Sequence, residues 1–278
     1  MKGRWDKTAL GKQVAALTVL ITVSVFVVAP YGWMLLTSFK STREIMQNPG
    51  KLLPIDWTWS GYVTVVTKSP FFSWLVNSAI VSITVTVAVV FTSTLAGYVF
   101  SKFKFKGKTA LFWLLLATMM VPYQIMMIPQ FLIINEIRIY DTLWALIVPE
   151  LVTAFGIYLC RQFCDDIPDS LCEAAVIDGA GPFKIYRMIM LPLLKPCIGA
   201  LSIFTFLGIW NEYLKPLIML NEVKRMTLPL ALAFFSDAHT RDIGAIMSAS
   251  ALIMLPATAL LLVLQKQFIK GIAITGIK

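Results

Sequence analysis

The sequence predicts an all-α integral membrane protein with six transmembrane helices. The chain has 278 residues, of which 58% are hydrophobic and 14% are charged, proportions outside the usual range of a soluble domain. A bilayer core needs about 20 helical residues, and six mainly apolar stretches are long enough to cross it. Four contain no Asp, Glu, Lys or Arg, and two are interrupted only by Glu150 and by Glu212 with Lys215. The predicted helices are about 13–39, 72–101, 109–134, 142–164, 197–219 and 243–267.

The basic residues predict a multi-pass chain of the cell membrane with both termini in the cytoplasm. The inner segments then hold 15 Lys or Arg, against 8 in the outer segments. The first apolar run follows basic residues as a secretory signal does, but it is 27 residues long with no small-x-small cleavage pattern, so we expect it to remain as an uncleaved helix. The net charge of +9 therefore indicates anchoring to the lipid bilayer and no nucleic-acid partner.

The third predicted helix contains two prolines, Pro122 and Pro129, within MMVPYQIMMIPQF. Each proline frees a backbone carbonyl that lipid cannot satisfy, so we expect this side of the helix to face protein or a wet cavity. Tyr123 and Gln124 follow Pro122 and offer a hydroxyl and an amide, which suit a hydroxyl-rich solute. Pro256 in the sixth helix carries the same implication for its own surroundings.

Two carboxylates fall inside predicted helices, where charged groups are costly and usually face a cavity or a partner. Glu212 has Lys215 one turn away, which favours an ion pair with Lys215 or with another chain over contact with a solute. Glu150 has no cation nearby in the sequence, so lining of a path, contact with another subunit and protonation all remain open. The substrate-path candidates are Tyr123, Gln124, Glu150, Asn211 and Glu212.

The sequence lacks the groups that an enzyme or an ATP-driven motor would need. Its nearest phosphate-binding pattern is GKT at 107–109, but Lys102 stands where the pattern needs its first glycine. No catalytic residue and no metal site are predicted, because His239 has no second His or Cys nearby. The four cysteines show no C-x-x-C spacing and are expected to be reduced packing residues.

A soluble-looking helical hairpin interrupts the membrane pattern in the segment 165–196, which lies in the cytoplasm in this topology. SLCE at 170–173 fits a capping box, in which Ser170 and Glu173 satisfy each other's backbone N–H groups. Gly179 can adopt the left-handed conformation that ends a helix. Exposed charges and a thin alanine face, on a chain without its own motor, indicate docking into a partner that has one.

The order of motifs in this hairpin resembles the EAA loop of permease subunits in ATP-binding-cassette (ABC) importers. The matching residues are E-A-A at 173–175, Asp178-Gly179 and Leu191-Pro192. Further passages resemble the carbohydrate-importer branch of that family and together span nearly the whole chain. They are SFKSTREI (38–45), MMVPYQIMMIPQF (119–131), GIYLCRQFCDDIP (156–168), WNEYLKPL (210–217) and QKQFIKGI (265–272).

The resemblance implies a type I ABC importer permease fold with a cytoplasmic EAA coupling hairpin. It implies a second permease subunit in a heterodimer, an ATPase dimer inside and a solute-binding protein outside. The chain itself would hold no cofactor, since ATP and magnesium would bind the ATPase. The coupling positions carried over from the family are Glu173, Ala174, Ala175, Asp178, Gly179, Leu191 and Pro192, and the glutamate is expected to meet a basic residue of the ATPase.

The function implied is import of a sugar or oligosaccharide by a transport subunit that is not an enzyme. One alternative is an ABC permease for another polar solute, such as a glycerol phosphate. A second alternative is an ion-coupled carrier that uses Glu150 and Glu212 as its ion site, which would leave the hairpin unexplained. Glu150 is not part of the family pattern.

Overall fold

The computed structural model describes residues 7–232, 235 and 242–275, with side chains for 12–232, 235 and 242–263. His239 therefore lies outside the described residues. Every regular element in this part of the chain is helical, so the prediction of an all-α protein is confirmed there. The α-helices are α1 (Lys7–Thr37), α2 (Thr42–Gln47), α3 (Ser60–Lys68), α4 (Phe71–Lys102), α5 (Lys108–Thr118), α6 (Tyr123–Glu136), α7 (Trp144–Ile147), α8 (Ala154–Asp165), α9 (Asp169–Ile177), α10 (Pro182–Ile185), α11 (Leu191–Leu193), α12 (Lys195–Trp210), α13 (Leu214–Met219), α14 (Leu228–Ala231) and α15 (Ile243–Thr275).

Four of the described segments are long and apolar enough to cross a membrane without a sharp bend. They are Lys12–Thr37 of α1, the whole of α4, Trp144–Asp165 and Ile243–Val263 of α15. Two further pairs of helices reach that length only as bent spans, α5 with α6 at 97° and Pro182–Leu193 with α12 at 77°. The described chain thus has four candidate spans, or six if each bent pair counts as one.

Prolines stand close to both bends. The stretch predicted as one helix over 109–134 is divided at Met119–Pro122, because a proline ring is incompatible with the carbonyl of the preceding turn. The second bend lies at Leu194, between Pro192 and Pro196. Its first arm, Pro182–Leu193, belongs to the segment 165–196 that the sequence assigned to the cytoplasm.

The chain divides into two compact units, the smaller made of Met1–Ser69 with Phe234–Leu252. In this unit every side chain from Lys12 to Tyr31 is exposed, as expected of a helix whose surroundings are lipid or another subunit. The described start of α15 packs against the segment after α1, where the Ser248 hydroxyl donates to the carbonyl of Ser38 at 3.0 Å. Phe39 is surrounded there by the rings of Trp57, Trp59 and Tyr62.

The larger unit, Pro70–Ala233 with Ile253–Lys278, is built around α4, which packs against α8 and α12. Gly97 lets α4 approach α8 closely, since a Cβ at this position would lie 2.7 Å from the Cβ of Cys160. Small residues at such contacts are how helices pack tightly within a membrane. Cys160 and Cys197 are buried between these helices as free thiols, with their sulfurs 3.6 Å apart.

Candidate functional site

Three helical segments of the larger unit are interrupted, and the path candidates lie at these interruptions. The first break, Met119–Pro122, separates α5 from α6. The second, Leu151–Thr153, follows a 3-10 turn at Val148–Glu150 and precedes α8. The third, Asn211–Tyr213, separates α12 from α13. Breaks at membrane depth are tolerated only where the backbone is buried in protein or lines a wet cavity.

Side chains satisfy the backbone groups that the second and third breaks release. The carbonyl of Leu151 accepts a hydrogen bond from the Thr92 hydroxyl at 3.0 Å. The Thr153 hydroxyl caps α8 by accepting from the N–H of Gly156 at 3.2 Å. Glu212 caps α13, because its Oε1 accepts from the N–H groups of Leu214 at 2.9 Å and Lys215 at 3.3 Å. At each of these two breaks, side chains therefore satisfy backbone groups that have no partner within a helix.

Lys215 forms an ion pair with Glu150, from the second break, and not with Glu212 as the spacing of the sequence suggested. The Glu212 carboxylate instead accepts from the N–H groups of Leu214 and Lys215 at the start of α13. Both paired side chains are largely buried, with exposed fractions of 14% for Lys215 and 19% for Glu150. The ammonium of Lys215 also lies 4.3 Å from the centre of the Tyr123 ring, at the first break. One cation, in the helix that follows the third break, therefore contacts residues that flank the first and second breaks.

Two cavities lie on either side of this ion pair and share Glu150 in their walls. The larger, about 510 Å³, is lined by Tyr123, Gln130 and Glu150 among apolar side chains of α6 and the second break. The other, about 270 Å³, contains Glu150, Glu212 and Lys215. A water-sized space of about 10 Å³ lies beside the pair, where Ser82 and Thr227 place hydroxyls.

The larger cavity contains hydrogen-bonding groups that the described chain does not satisfy. The Tyr123 hydroxyl and the Gln130 Oε1 are buried, and neither has a hydrogen-bond partner among the described residues. Leaving such groups unpaired costs about 1–3 kcal/mol each. Gln130 was not among the sequence candidates, although it follows Pro129 in the same proline-rich stretch.

The structure brings together Tyr123, Glu150 and Glu212 but not the other two path candidates. Gln124 is exposed, and so is Asn211, whose Nδ2 donates to the carbonyl of Leu207 at 2.9 Å. Neither residue lines the three cavities around Lys215. The path role of all five candidates remains a prediction.

The hairpin begins with α9, whose N-cap differs from the sequence interpretation. The helix starts at Asp169, two residues earlier than the capping box requires, and its N-cap Pro168 makes no side-chain hydrogen bond. The capping box between Ser170 and Glu173 is therefore wrong. At the other end Gly179 adopts a φ of 75°, with the N–H of Gly179 bonded to Val176 and that of Ala180 bonded to Ala175. This pair of bonds is a Schellman motif, which requires the left-handed residue.

The two alanines of the EAA pattern lie on different sides of α9. Ala175 is buried in the core of the chain, whereas Ala174 and Glu173 are exposed. Ile177 is one turn further along the outer face and is 86% exposed, a fraction unusual for a large apolar side chain. The remaining coupling candidates are exposed or half-buried: Asp178, Gly179, Leu191 and Pro192.

Several polar contacts attach the hairpin to α4. The Lys102 ammonium donates to the carbonyl of Ile167 at 2.5 Å and to the carboxylate of Asp169 at 2.6 Å. This hydrogen-bonded cation holds the pKa of Asp169 below its usual range, so the contact persists at neutral pH and is lost as acid protonates the carboxylate. Further along, the hydroxyl of Tyr186 lies 2.9 Å from that of Thr94 on α4.

Residues 88–274, which include the hairpin and all three breaks, match the family described as binding-protein-dependent transport system inner membrane component. The chain belongs to this family. The resemblance to ABC importer permeases seen in the sequence is thereby confirmed, and the protein is a permease component of a transport system rather than an enzyme.

Relatives of known name match the permease over most of its length. It is 31% identical over 270 residues to the arabinooligosaccharides transport system permease protein AraQ of Bacillus subtilis, covering 96% of each chain. It is 30% identical to the diacetylchitobiose uptake system permease protein NgcG of Streptomyces coelicolor, covering 89% of the permease and 83% of that protein. It is 31% identical to the sn-glycerol-3-phosphate transport system permease protein UgpE of Rhizobium meliloti, covering 97% of the permease and 99% of that protein.

A solved structure has the same fold. A chain from the crystal structure of a bacterial ABC transporter involved in the import of the acidic polysaccharide alginate superposes with a TM-score of 0.82 at 20% identity. The match covers 96% of the permease and 100% of that chain. The permease therefore has the fold of an ABC importer chain.

We expect Lys102→Met to loosen the start of the hairpin, because methionine keeps much of the apolar stem but removes the ammonium. Loss of this contact should allow the start of the hairpin to open more often, so amide hydrogen exchange across 167–172 should become faster. Lys104→Met is the matched control, since Lys104 is exposed on the same loop. Equal exchange in both variants would show that Lys102 does not hold the hairpin.

We expect Lys215→Met to destabilise the permease more than the double variant Glu150→Gln/Lys215→Met. The single change leaves the Glu150 carboxylate without its cation, which costs about 3 kcal/mol for a buried pair. Thermal unfolding followed by tryptophan fluorescence should place the midpoint of the single variant below that of the double variant. Glu222→Gln, which removes an exposed partner of Arg225, should change the midpoint little. A single variant as stable as the double would mean that the pair is not coupled.

Proposed function

We propose that the permease forms half of the translocation path of an ATP-driven importer for a sugar or oligosaccharide. The observation that carries this proposal is the larger cavity, whose wall places the oxygen-bearing side chains of Tyr123, Gln130 and Glu150 among apolar residues. Such oxygens suit the hydroxyl donors of a carbohydrate, and apolar walls suit the C–H faces of sugar rings. AraQ and NgcG, both named for the uptake of oligosaccharides, support the same class of solute.

The hairpin at 165–196 couples this path to a separate ATPase. Its outward face presents the Glu173 carboxylate beside Ala174 and the exposed Ile177, a small and partly apolar surface with one charge. Such a surface can enter a groove and pair with a cation there. ATP and magnesium bind the ATPase, a second permease completes the path, and a solute-binding protein delivers the solute from outside. Both termini lie in the cytoplasm.

The hairpin and the path are connected by successive helical segments that bend by 77° at Leu194. From Pro182 the chain passes through a π-helical turn at Tyr186–Met190, α11 and α12, and α12 ends at the third break. A π turn fits the position of Pro192, which has no N–H to donate within the helix. Movement of the hairpin by the ATPase therefore displaces α12 and the residues beyond its end, Glu212 and Lys215. This displacement exchanges an inward for an outward opening of the path.

An ion-coupled carrier is the less favoured function. It would use Glu150 and Glu212 as free ligands for an ion, but Glu150 is engaged by Lys215 and Glu212 caps α13. A permease for a glycerol phosphate is favoured by one observation, the similarity to UgpE over nearly the whole chain.

Glu173→Lys should reduce solute uptake and solute-stimulated ATP hydrolysis severalfold or more, because the reversed charge repels the cation expected in the ATPase groove. The assay uses the complete importer in proteoliposomes. Since Glu173 forms no capping box, Glu173→Gln changes the charge without disturbing a cap, and its smaller defect measures the ion pair alone.

The matched control is Glu136→Lys, the same change at an exposed position outside the hairpin. It should leave ATP hydrolysis coupled to uptake. A charge-reversed residue in the ATPase groove should restore part of the activity of Glu173→Lys. Wild-type coupling and assembly in Glu173→Lys would contradict the coupling role of the hairpin.

A further inference from the structure

The cavities around the second and third breaks are lined by very few charged groups. Across all three, the charged side chains among the described residues are Glu150, Glu212 and Lys215, so Lys215 is the only basic residue that the described chain places in their walls. The polar side chains in the wall of the larger cavity are Tyr123, Gln130 and Glu150. The walls of the three cavities together therefore carry two carboxylates and one ammonium.

The contacts of the Lys215 ammonium keep it from binding a solute. The ammonium is paired with Glu150 and lies over the face of the Tyr123 ring, and the Lys215 side chain is only 14% exposed. An anionic solute would have to compete with a carboxylate already in contact with that ammonium. It would also approach Glu212, which lines the smaller cavity beside the pair.

We propose that Glu150 makes this half of the path selective for uncharged, hydroxyl-rich solutes by engaging Lys215, the one cation that the described residues place in the cavity walls, and so keeping it from binding an anion. Glu150 is in this view a residue that determines specificity. The inference rests on the proposed function and deepens it, because it places the solute with neutral oligosaccharides and excludes sugar phosphates and glycerol phosphates. The relatives of the permease are named for solutes of both kinds.

The charge of the cavity can be measured without knowing the solute. Thr205 lines the smaller cavity with Glu150, Glu212 and Lys215, and cysteine is close to threonine in size. Thr205→Cys in membranes that contain the complete importer is treated with two methanethiosulfonate reagents of similar size, one carrying trimethylammonium and the other sulfonate. The ratio of the rates at which the two reagents modify the introduced cysteine, divided by the same ratio for a free thiol in solution, reports the electrostatic potential at that position. The permease without this change gives the background from its four native cysteines.

In the Thr205→Cys permease that keeps Glu150, the cationic reagent should react faster than the anionic reagent, relative to their rates with a free thiol. Glu150→Gln should raise the ratio of anionic to cationic rates about tenfold, because two oppositely charged reagents respond in opposite senses to one exposed ammonium at cavity distances. Adding Lys215→Met to the Glu150→Gln variant should abolish this gain in the ratio of anionic to cationic rates. Lys215→Met alone should shift the ratio toward the cationic reagent, which provides an independent result if Glu150→Gln assembles poorly. Glu222→Gln, which removes a carboxylate outside these cavities, should leave the ratio unchanged.

Three results would overturn the inference. They are an unreactive Thr205→Cys in every nucleotide state, a ratio that does not respond to Glu150→Gln, and a gain that persists after Lys215→Met. Uptake of sn-glycerol 3-phosphate by the wild-type importer would also overturn it, while leaving the importer function intact. Failure of the permease to associate with any ATPase would instead contradict the proposed function, and it would not alter the ratio of reagent rates.

Discussion

At each helix break of the larger unit, backbone groups lose their helical partners in a protein whose lipid surroundings offer no replacement. Thr92 and Thr153 provide those partners at the second break, and the Glu212 carboxylate provides them at the third. These side chains therefore stabilise the second and third breaks. The polar interior of the permease follows from this constraint, since groups that satisfy a broken helix also attract water and ligands.

Lys215 links the breaks to one another. Its contacts with Glu150 and with the Tyr123 ring connect the start of α13 to the 3-10 turn before α8 and to the first turn of α6. Because α12 leads from the hairpin to Lys215, a change at the cytoplasmic hairpin has a direct route to this cluster. Lys215 therefore affects both the opening of the path and the charge of the solutes that can pass through it.

The sequence predicted the helical class and the family, because hydropathy and ordered motifs depend on local residues. It predicted one helix over 109–134, which the structure divides at Met119–Pro122. It did not predict the partner of Lys215, since Glu150 is distant in sequence and Glu212 stands one turn away. The cap of α9 was also misplaced, because Pro168 and Asp169 begin the helix before Ser170 can act. The separation of Ala174 from Ala175 depends on which face of α9 meets the core, and only tertiary packing decides that.

The central claim is that the solute passes the three breaks beside Lys215. A cryo-EM map of the complete importer trapped with its solute tests this claim most directly. Our account predicts solute density within hydrogen-bonding distance of Tyr123, Gln130 or Glu150, with the hairpin at 165–196 seated on the ATPase. Density that contacts none of the three breaks, with the cavities filled by a helix of the second permease, would contradict it.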